Sequence, residues 1–401
     1  MKVKQNSFYP LTQNILEKKD LSAAIQVIKS GNITMGKKTK DFENYFKKKV
    51  SSINSLMVNS GSSANLLIFQ CLINPLVKKL KPGDEVLIPA ICWSTSLWPI
   101  IQSGLKVKFI DIDLETFNID IKQLKNKITN KTKALMLVHA LGNCADMSKI
   151  VDVCKKNKII LIEDTCEALG SKFKNKYLGT FGEFSSFSFY YSHHITSGEG
   201  GMICVKNKKY YEILKSLRSH GWSRDLNNNN IISKKNKNID KNWIFVNSGF
   251  NLRPTDINAA IGTEQLKRLE KILKIRKYNF NSIKENLIND KRYSNQFSIL
   301  KETKSKNIAW FGIPIILNTN NKKFKNRVIK KLNNNGIITR PIISGNFANQ
   351  PSIKLYKIKT KYKLINANKV DENSFFIGLH NCKITKKKLN KFCELFYASL
   401  I

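Results

Sequence analysis

The chain has 401 residues, 42% of them hydrophobic, with 69 Lys and Arg against 29 Asp and Glu and a formal charge of +40. That length allows a large domain and a smaller one with ample core, while the opening MKVKQNSFYP carries no apolar signal centre and no later apolar run is long enough to span a membrane, so a cytoplasmic protein with no membrane partner is expected. Only 8 of the basic residues are arginine and 61 are lysine, scattered among asparagines and isoleucines, which describes a solvated surface rather than a nucleic-acid reader built on arginine forks.

Leu21 to Val50 predicts two amphipathic helices broken at Gly31 and Gly36. Residues 56–72, LMVNSGSSANLLIFQCL, read as an apolar strand ending at Asn59, then a helix that starts within Ser60-Gly61-Ser62-Ser63. Small residues at a helix start leave backbone N–H groups free to hold a phosphate; an ordinary serine N-cap is the alternative. Residues 84–113 alternate strand, helix and strand, as a parallel sheet requires, with Trp93 at the exit of the first strand as either core or ligand platform. The next such unit ends in Ile159–Ile162 followed by Glu163-Asp164-Thr165-Cys166-Glu167. Carboxylates at the end of an apolar strand are costly to bury unless paired. Glu163 is expected to face outward.

Ser185 to Gly201, SSFSFYYSHHITSGEGG, is the most informative stretch. Strand-like alternation through Ser186, Ser188 and Tyr190 leads to the adjacent His193 and His194, then to a turn permitted by glycines 198, 200 and 201 and carrying Glu199. Polar groups are thereby delivered to a strand end, where open α/β sheets keep their ligand sites. Downstream, LRSHGWSRD holds His220 and Arg224, and the polar residues 227–243 are expected to form a mobile loop. Pro254 suits the first turn of a following helix. A long helical pattern from Glu264 to Asn286 leads to strand 310–317 and to segment 338–347, whose Arg340 binds a carboxylate or phosphate or forms a structural salt bridge. The eight cysteines show no CxxC or metal spacing and read as buried reduced thiols; no metal site is expected.

The SFSFYYSHHITSGEGG run, the GSSAN turn, EDTCEA and the GFNLRPTDINAAIG segment together resemble the sugar aminotransferases of the aspartate-aminotransferase fold, of DegT/DnrJ/EryC1/StrS type. These enzymes use pyridoxal phosphate (PLP) on nucleotide-linked keto-sugars. The resemblance covers nearly the whole chain and implies a fold-type-I α/β architecture. A large domain, residues 1–275, would hold a mostly parallel seven-stranded sheet between helices, and residues 276–401 a smaller α+β domain. It implies that Gly61 and Ser62 bind the PLP phosphate, with Ser188 also on the cofactor; that Trp93 stacks on the pyridine; and that Asp164 faces the ring nitrogen and Glu167 the ring hydroxyl. Asn251 would reach the phosphate of the opposite subunit in a homodimer with shared sites. His220, Arg224 and Arg340 would line the sugar or amino-donor site.

The family pattern S-F-x-x-x-K-x-L-x-x-G-E-G-G carries the lysine that binds PLP covalently; counting back from Gly198, that position is His193. An imidazole cannot form that bond, and one branch of the family with this substitution dehydrates its substrate instead of aminating it. The resemblance therefore implies a 3-dehydratase of a nucleotide-linked 4-keto-6-deoxysugar, expected to be GDP-4-keto-6-deoxymannose, in deoxysugar and O-antigen synthesis. On that resemblance pyridoxamine phosphate (PMP) would be the working form, regenerated from glutamate, and His193 the catalytic base. A related 3-dehydrase carries an iron–sulfur cluster on cysteines downstream of its histidine; here no cysteine lies between Cys204 and Cys382, so no cluster is expected. An aminotransferase and a non-catalytic PLP-binding regulator are the competing readings.

Overall fold

The structure is a computed structural model and describes residues 7–13, 15–300, 302, 306–319, 321–360 and 362–401. Helices α1 (Lys18–Lys29) and α2 (Lys37–Val50) open the chain, parted at the two glycines as predicted. Strand and helix then alternate: β1 (Asn54–Val58), α3 (Gly61–Ile73), β2 (Glu85–Pro89), α4 (Ser94–Gln102), β3 (Lys106–Ile110), α5 (Ile121–Lys127), β4 (Thr132–Val138), α6 (Met147–Lys156) and β5 (Ile160–Asp164). Two short strands, β6 (Lys172–Phe173) and β7 (Lys176–Tyr177), precede β8 (Phe184–Ser188) and β9 (Gly201–Val205). Four helices follow: α7 (Lys208–Arg218), α8 (Asn229–Lys235), α9 (Asp256–Lys267) and α10 (Leu269–Ile288). The remainder contains β10 (Phe297–Ile299), β11 (Lys306–Asn307), β12 (Gly312–Leu317), α11 (Lys322–Asn334), β13 (Thr339–Arg340), α12 (Pro351–Leu355), α13 (Ile365–Asn373), β14 (Ser374–Gly378) and α14 (Lys386–Leu400).

Seven strands form one sheet in the order β1-β9-β8-β5-β4-β2-β3, and β9 alone runs against its neighbours. A separate antiparallel sheet, β10-β12-β14-β13, forms the C-terminal part. This is the expected α/β architecture, and α10 runs unbroken through residues 275 and 276. The central strands are buried on both faces, which is why they read as continuous apolar runs rather than alternating ones. Phe42 and Phe46 of α2 meet Phe187 and Phe189 edge to face, at 5.0 to 5.6 Å between ring centroids, and seal one face of the sheet. Asp256 of α9 caps α2 from outside, accepting the N–H groups of Gly36, Lys38 and Thr39 at 2.8 to 3.0 Å. No helix among the described residues is long and apolar enough to cross a membrane.

Three expectations change. The helical pattern from Glu264 is two helices that meet at Arg268, whose guanidinium is turned to the buried Asp20 at 2.8 and 2.9 Å. The polar segment 227–243 contains α8, because local asparagine bonds replace hydrophobic anchoring: Asn227 binds Glu212 at 2.9 and 3.0 Å, and Asn229 meets Ser223 at 2.8 Å. Glu163 does not face outward but is fully buried. It accepts from the N–H groups of Gly179, Phe181 and Gly182 at 2.7 to 2.8 Å and meets His139 Nε2 at 3.0 Å. Burial alone would raise this carboxyl; the His139 contact and the glycine N–H groups outweigh it and hold it below the ordinary range.

Glu163→Gln removes the charge those donors surround and is expected to lower the unfolding free energy by about 3–5 kcal/mol in urea titrations at neutral pH. Because the folded carboxyl is held low, its contribution is complete above the usual glutamate value of 4.5 and disappears as pH falls further, so wild-type and variant stabilities should converge in acid.

Candidate active site

Strand register assembles the site. Asp164 pairs with Ser186, and Gly201 lies between Ser188 and Val58, so the carboxyl ends of β1, β5 and β8 and the start of β9 share one sheet edge. Helix α3 begins there. Ser60 accepts the Ser63 N–H at 3.1 Å, which leaves the N–H groups of Gly61 and Ser62 at the positive end of the helix. Ser62 Oγ is tied to Thr95 Oγ1 at 2.7 Å.

Glycine is required at two of these positions by contact. A Cβ on Gly61 would stand 2.8 Å from Ser188 Cβ, and one on Gly201 would stand 2.3 Å from the Ser60 carbonyl oxygen. The helix start therefore lies directly on β8 and β9. Within the glycine turn only Gly198 adopts a left-handed conformation, at φ +82°; Gly201 serves close approach, and Gly200 likewise leaves room for the Ser197 hydroxyl.

Asp164 is 5% exposed. Its Oδ2 accepts from Asn65 Nδ2 at 3.0 Å and Ser96 Oγ at 2.7 Å, and its Oδ1 from the Cys166 N–H at 3.2 Å. No cation pairs with it among the described residues. The Cys166 carbonyl receives His193 Nδ1 at 2.7 Å. A carbonyl only accepts, so Nδ1 carries the proton and Nε2 is left with the lone pair. Burial, with Arg276 adding to it against the Cys166 carbonyl and Asp164, pushes the His193 imidazole down to about 4. Glu167 accepts the Leu141 N–H at 2.9 Å; burial, reinforced by Asp164, pushes its carboxyl up to about 7. His194 is fully buried, donates Nε2–H to the Ala309 carbonyl at 2.9 Å, and is held well below the usual histidine range by burial.

Gly61, Ser62, Asp164, Glu167, Ser188 and His193 are thus brought to one edge. Trp93, at the start of α4, is 56% exposed and not core; the neighbouring Cys92 carbonyl accepts Ser344 Oγ at 2.6 Å from the C-terminal part. Asn251 is exposed and pairs with Ser219, while its neighbour Leu252 accepts the Asn59 N–H at 3.1 Å just before α3. His220 and Arg224 gather around Trp222, at 4.8 and 3.7 Å from its ring, rather than beside Asp164 or His193. Arg340 on β13 donates to the Thr339 carbonyl at 3.2 Å and has no carboxylate partner among the described residues. Sequence reasoning missed Asn65, Ser96, Leu141 and Phe311. The first two lie inside the GSSAN turn and three residues after Trp93, but their partner is 99 and 68 residues away.

Residues 14–396 match the DegT/DnrJ/EryC1/StrS aminotransferase family. The chain belongs to this family. Among its relatives, the GDP-4-keto-6-deoxy-D-mannose 3-dehydratase of Escherichia coli O55:H7 is 37% identical over 94% of this chain and 96% of its own length. The lipopolysaccharide biosynthesis protein RfbH of Salmonella typhimurium is 33% identical over 97% and 92%. A crystal structure of GDP-4-keto-6-deoxymannose-3-dehydratase with a trapped PLP–glutamate geminal diamine superimposes with a TM-score of 0.89 at 35% identity, covering 97% of this chain and all of that one.

In this family member, imidazole NMR is expected to find His193 as the Nδ1–H tautomer, titrating near 4 and neutral throughout the physiological range. Glu167→Gln provides a second check. A raised carboxyl favours the protonated folded form, so stability falls as pH rises from 4.5 through about 7. The variant should melt roughly 2 °C above wild type at alkaline pH and no higher than wild type in acid.

Proposed function

We propose that this chain is a PLP/PMP-dependent 3-dehydratase of a nucleotide-linked 4-keto-6-deoxysugar, with GDP-4-keto-6-deoxymannose as substrate and glutamate as amino donor. The observation that carries this reading is His193: it stands where the family pattern has its lysine, and its Nδ1 is committed to the Cys166 carbonyl, so that Nε2 is a neutral base. The relatives named above support the substrate and the donor.

The residues fit a phosphorylated pyridine. The N–H groups of Gly61 and Ser62 would hold the phosphate, beside Ser188. Asp164, bound only by neutral donors, suits a protonated ring nitrogen, and the exposed Trp93 offers a stacking face. Glu167, raised to about 7, would share a proton with the ring hydroxyl. Bound as PMP, the cofactor supplies an amine and an electron sink. His193 moves the proton through Nε2 and delivers one to the departing C3 hydroxyl. Because imidazole makes no covalent bond to the cofactor, these polar contacts do all the holding.

Asn251 would complete the phosphate site of the other subunit in a homodimer, and His220, Arg224 and Arg340 would meet the anionic sugar nucleotide or glutamate. A division into residues 1–275 and 276–401 puts the cofactor's holders in the first domain and Arg340 in the second. The pathway is deoxysugar synthesis for lipopolysaccharide O-antigen, in keeping with the Salmonella relative.

The deciding experiment supplies GDP-4-keto-6-deoxymannose, PLP and glutamate, and follows ammonia, 2-oxoglutarate and the mass of the sugar. Loss of the C3 oxygen with release of ammonia is expected; a 4-amino sugar without ammonia would establish an aminotransferase instead. His193→Asn should still bind PLP, read by its absorbance, and dehydrate at least ~100-fold more slowly.

A further inference from the structure

Arg276 of α10 is a buried cation that the chemistry above does not use. It is 3% exposed and has no carboxylate partner among the described residues. All of its bonds go to neutral oxygens on two segments. Nη2 donates to the Trp310 and Phe311 carbonyls at 3.0 and 2.7 Å, and Nη1 to the Leu379 carbonyl at 2.6 Å and Asn381 Oδ1 at 3.2 Å. An arginine enclosed without an anion is expensive to desolvate, and burial pushes it down to about 10. The segment it grips explains what that arrangement does.

Residues 309–311 form the wall behind the histidine pair. The Ala309 carbonyl accepts His194 Nε2–H at 2.9 Å, and the Ala309 N–H is held by Ser171 Oγ at 2.9 Å. The Phe311 ring lies 5.1 Å from the His193 ring and 5.8 Å from that of His194, and its N–H binds the Leu141 carbonyl at 3.0 Å. Leu141 in turn donates to Glu167. One guanidinium thus anchors, from the C-terminal side, the strip that packs against both histidines and, through Leu141, against Glu167.

We propose that Arg276 is a positioning residue for the dehydration, clamping segment 309–311 and the 379–381 backbone together so that the imidazole of His193 is held in one orientation toward the site. The inference rests on His193 being the base. The charged and titratable groups around His193 are Asp164 at the end of β5, Cys166 and Glu167 just after it, Tyr190 edge-on at 6.2 Å, His194 beside it and Arg276 from α10. Of these, Asp164 favours the imidazolium while Arg276 opposes it. The clamp therefore also helps keep the base unprotonated.

Two variants separate the fork from the charge: Arg276→Lys keeps the cation but cannot span both segments, and Arg276→Met removes both. Each is measured per folded protein, by imidazole NMR titration of the cofactor-free chain and by kcat, KM and the acid limb of the pH profile. In Arg276→Met the His193 midpoint and the acid limb should rise together by about half a pH unit or more, and kcat should fall about 10-fold or more with KM within about twofold. Arg276→Lys should restore the titration and only part of kcat. A folded Met variant with unchanged His193 titration and kcat would overturn the proposal, as would a Lys variant at full kcat if the Met variant does not fold. The product analysis on wild type is separate: if no C3 oxygen is lost there, the dehydratase reading fails, and the NMR titration still decides whether Arg276 governs His193.

Discussion

The backbone of a single residue, Cys166, couples the buried carboxylate of Asp164 to the imidazole of His193. Its N–H binds Asp164 and its carbonyl accepts His193 Nδ1–H, so the residue that anchors the carboxylate also fixes the tautomer of the imidazole. Asp164 in turn gathers α3 through Asn65 and α4 through Ser96. A carboxylate buried without a cation is stable only if neutral donors converge on it, and their convergence fixes the N-terminal ends of both helices at the sheet edge.

The same burial acts in opposite directions on two neighbours. It pushes Glu167 up, because the carboxyl is charged when deprotonated, and His193 down, because the imidazole is charged when protonated. Both groups are therefore biased toward their neutral forms near neutral pH, which is the division that the proposed dehydration requires of a proton holder and a base. Environments that drive titratable groups apart in this way divide acid from base duties between them. Glu163, one residue before Asp164, shows the contrast: it points to the other face of the sheet, where His139 and three N–H groups stabilise its charge and give it a structural role.

The C-terminal part is not a passive appendage. Segment 309–311 reaches the histidines, Ser344 reaches the Cys92 carbonyl next to Trp93, and Arg276 joins α10 to segment 309–311 and to Leu379. The strand end that holds the site is thus closed by residues more than a hundred positions downstream in sequence. Packed interfaces of this kind resist small displacements, so geometry at His193 depends on contacts outside the large sheet.

The sequence by itself determined the architecture and marked the strand ends at which the candidate site residues gather. Apolar runs separated by helical periods specify a parallel sheet, and GSSAN, EDTCEA and SHHITSGEGG mark where its strands end, because polar and glycine residues at strand exits are local signals. It misjudged the break at Arg268, the helix within 227–243 and the burial of Glu163, since each depends on partners supplied from elsewhere: Asp20, Glu212 and His139. Only the tertiary structure decided which face each of two adjacent carboxylates takes and which nitrogen of His193 bears the proton. It also showed why residues 61 and 201 must lack a side chain. Those outcomes are set by distances across strands and segments, to which spacing along the chain is blind.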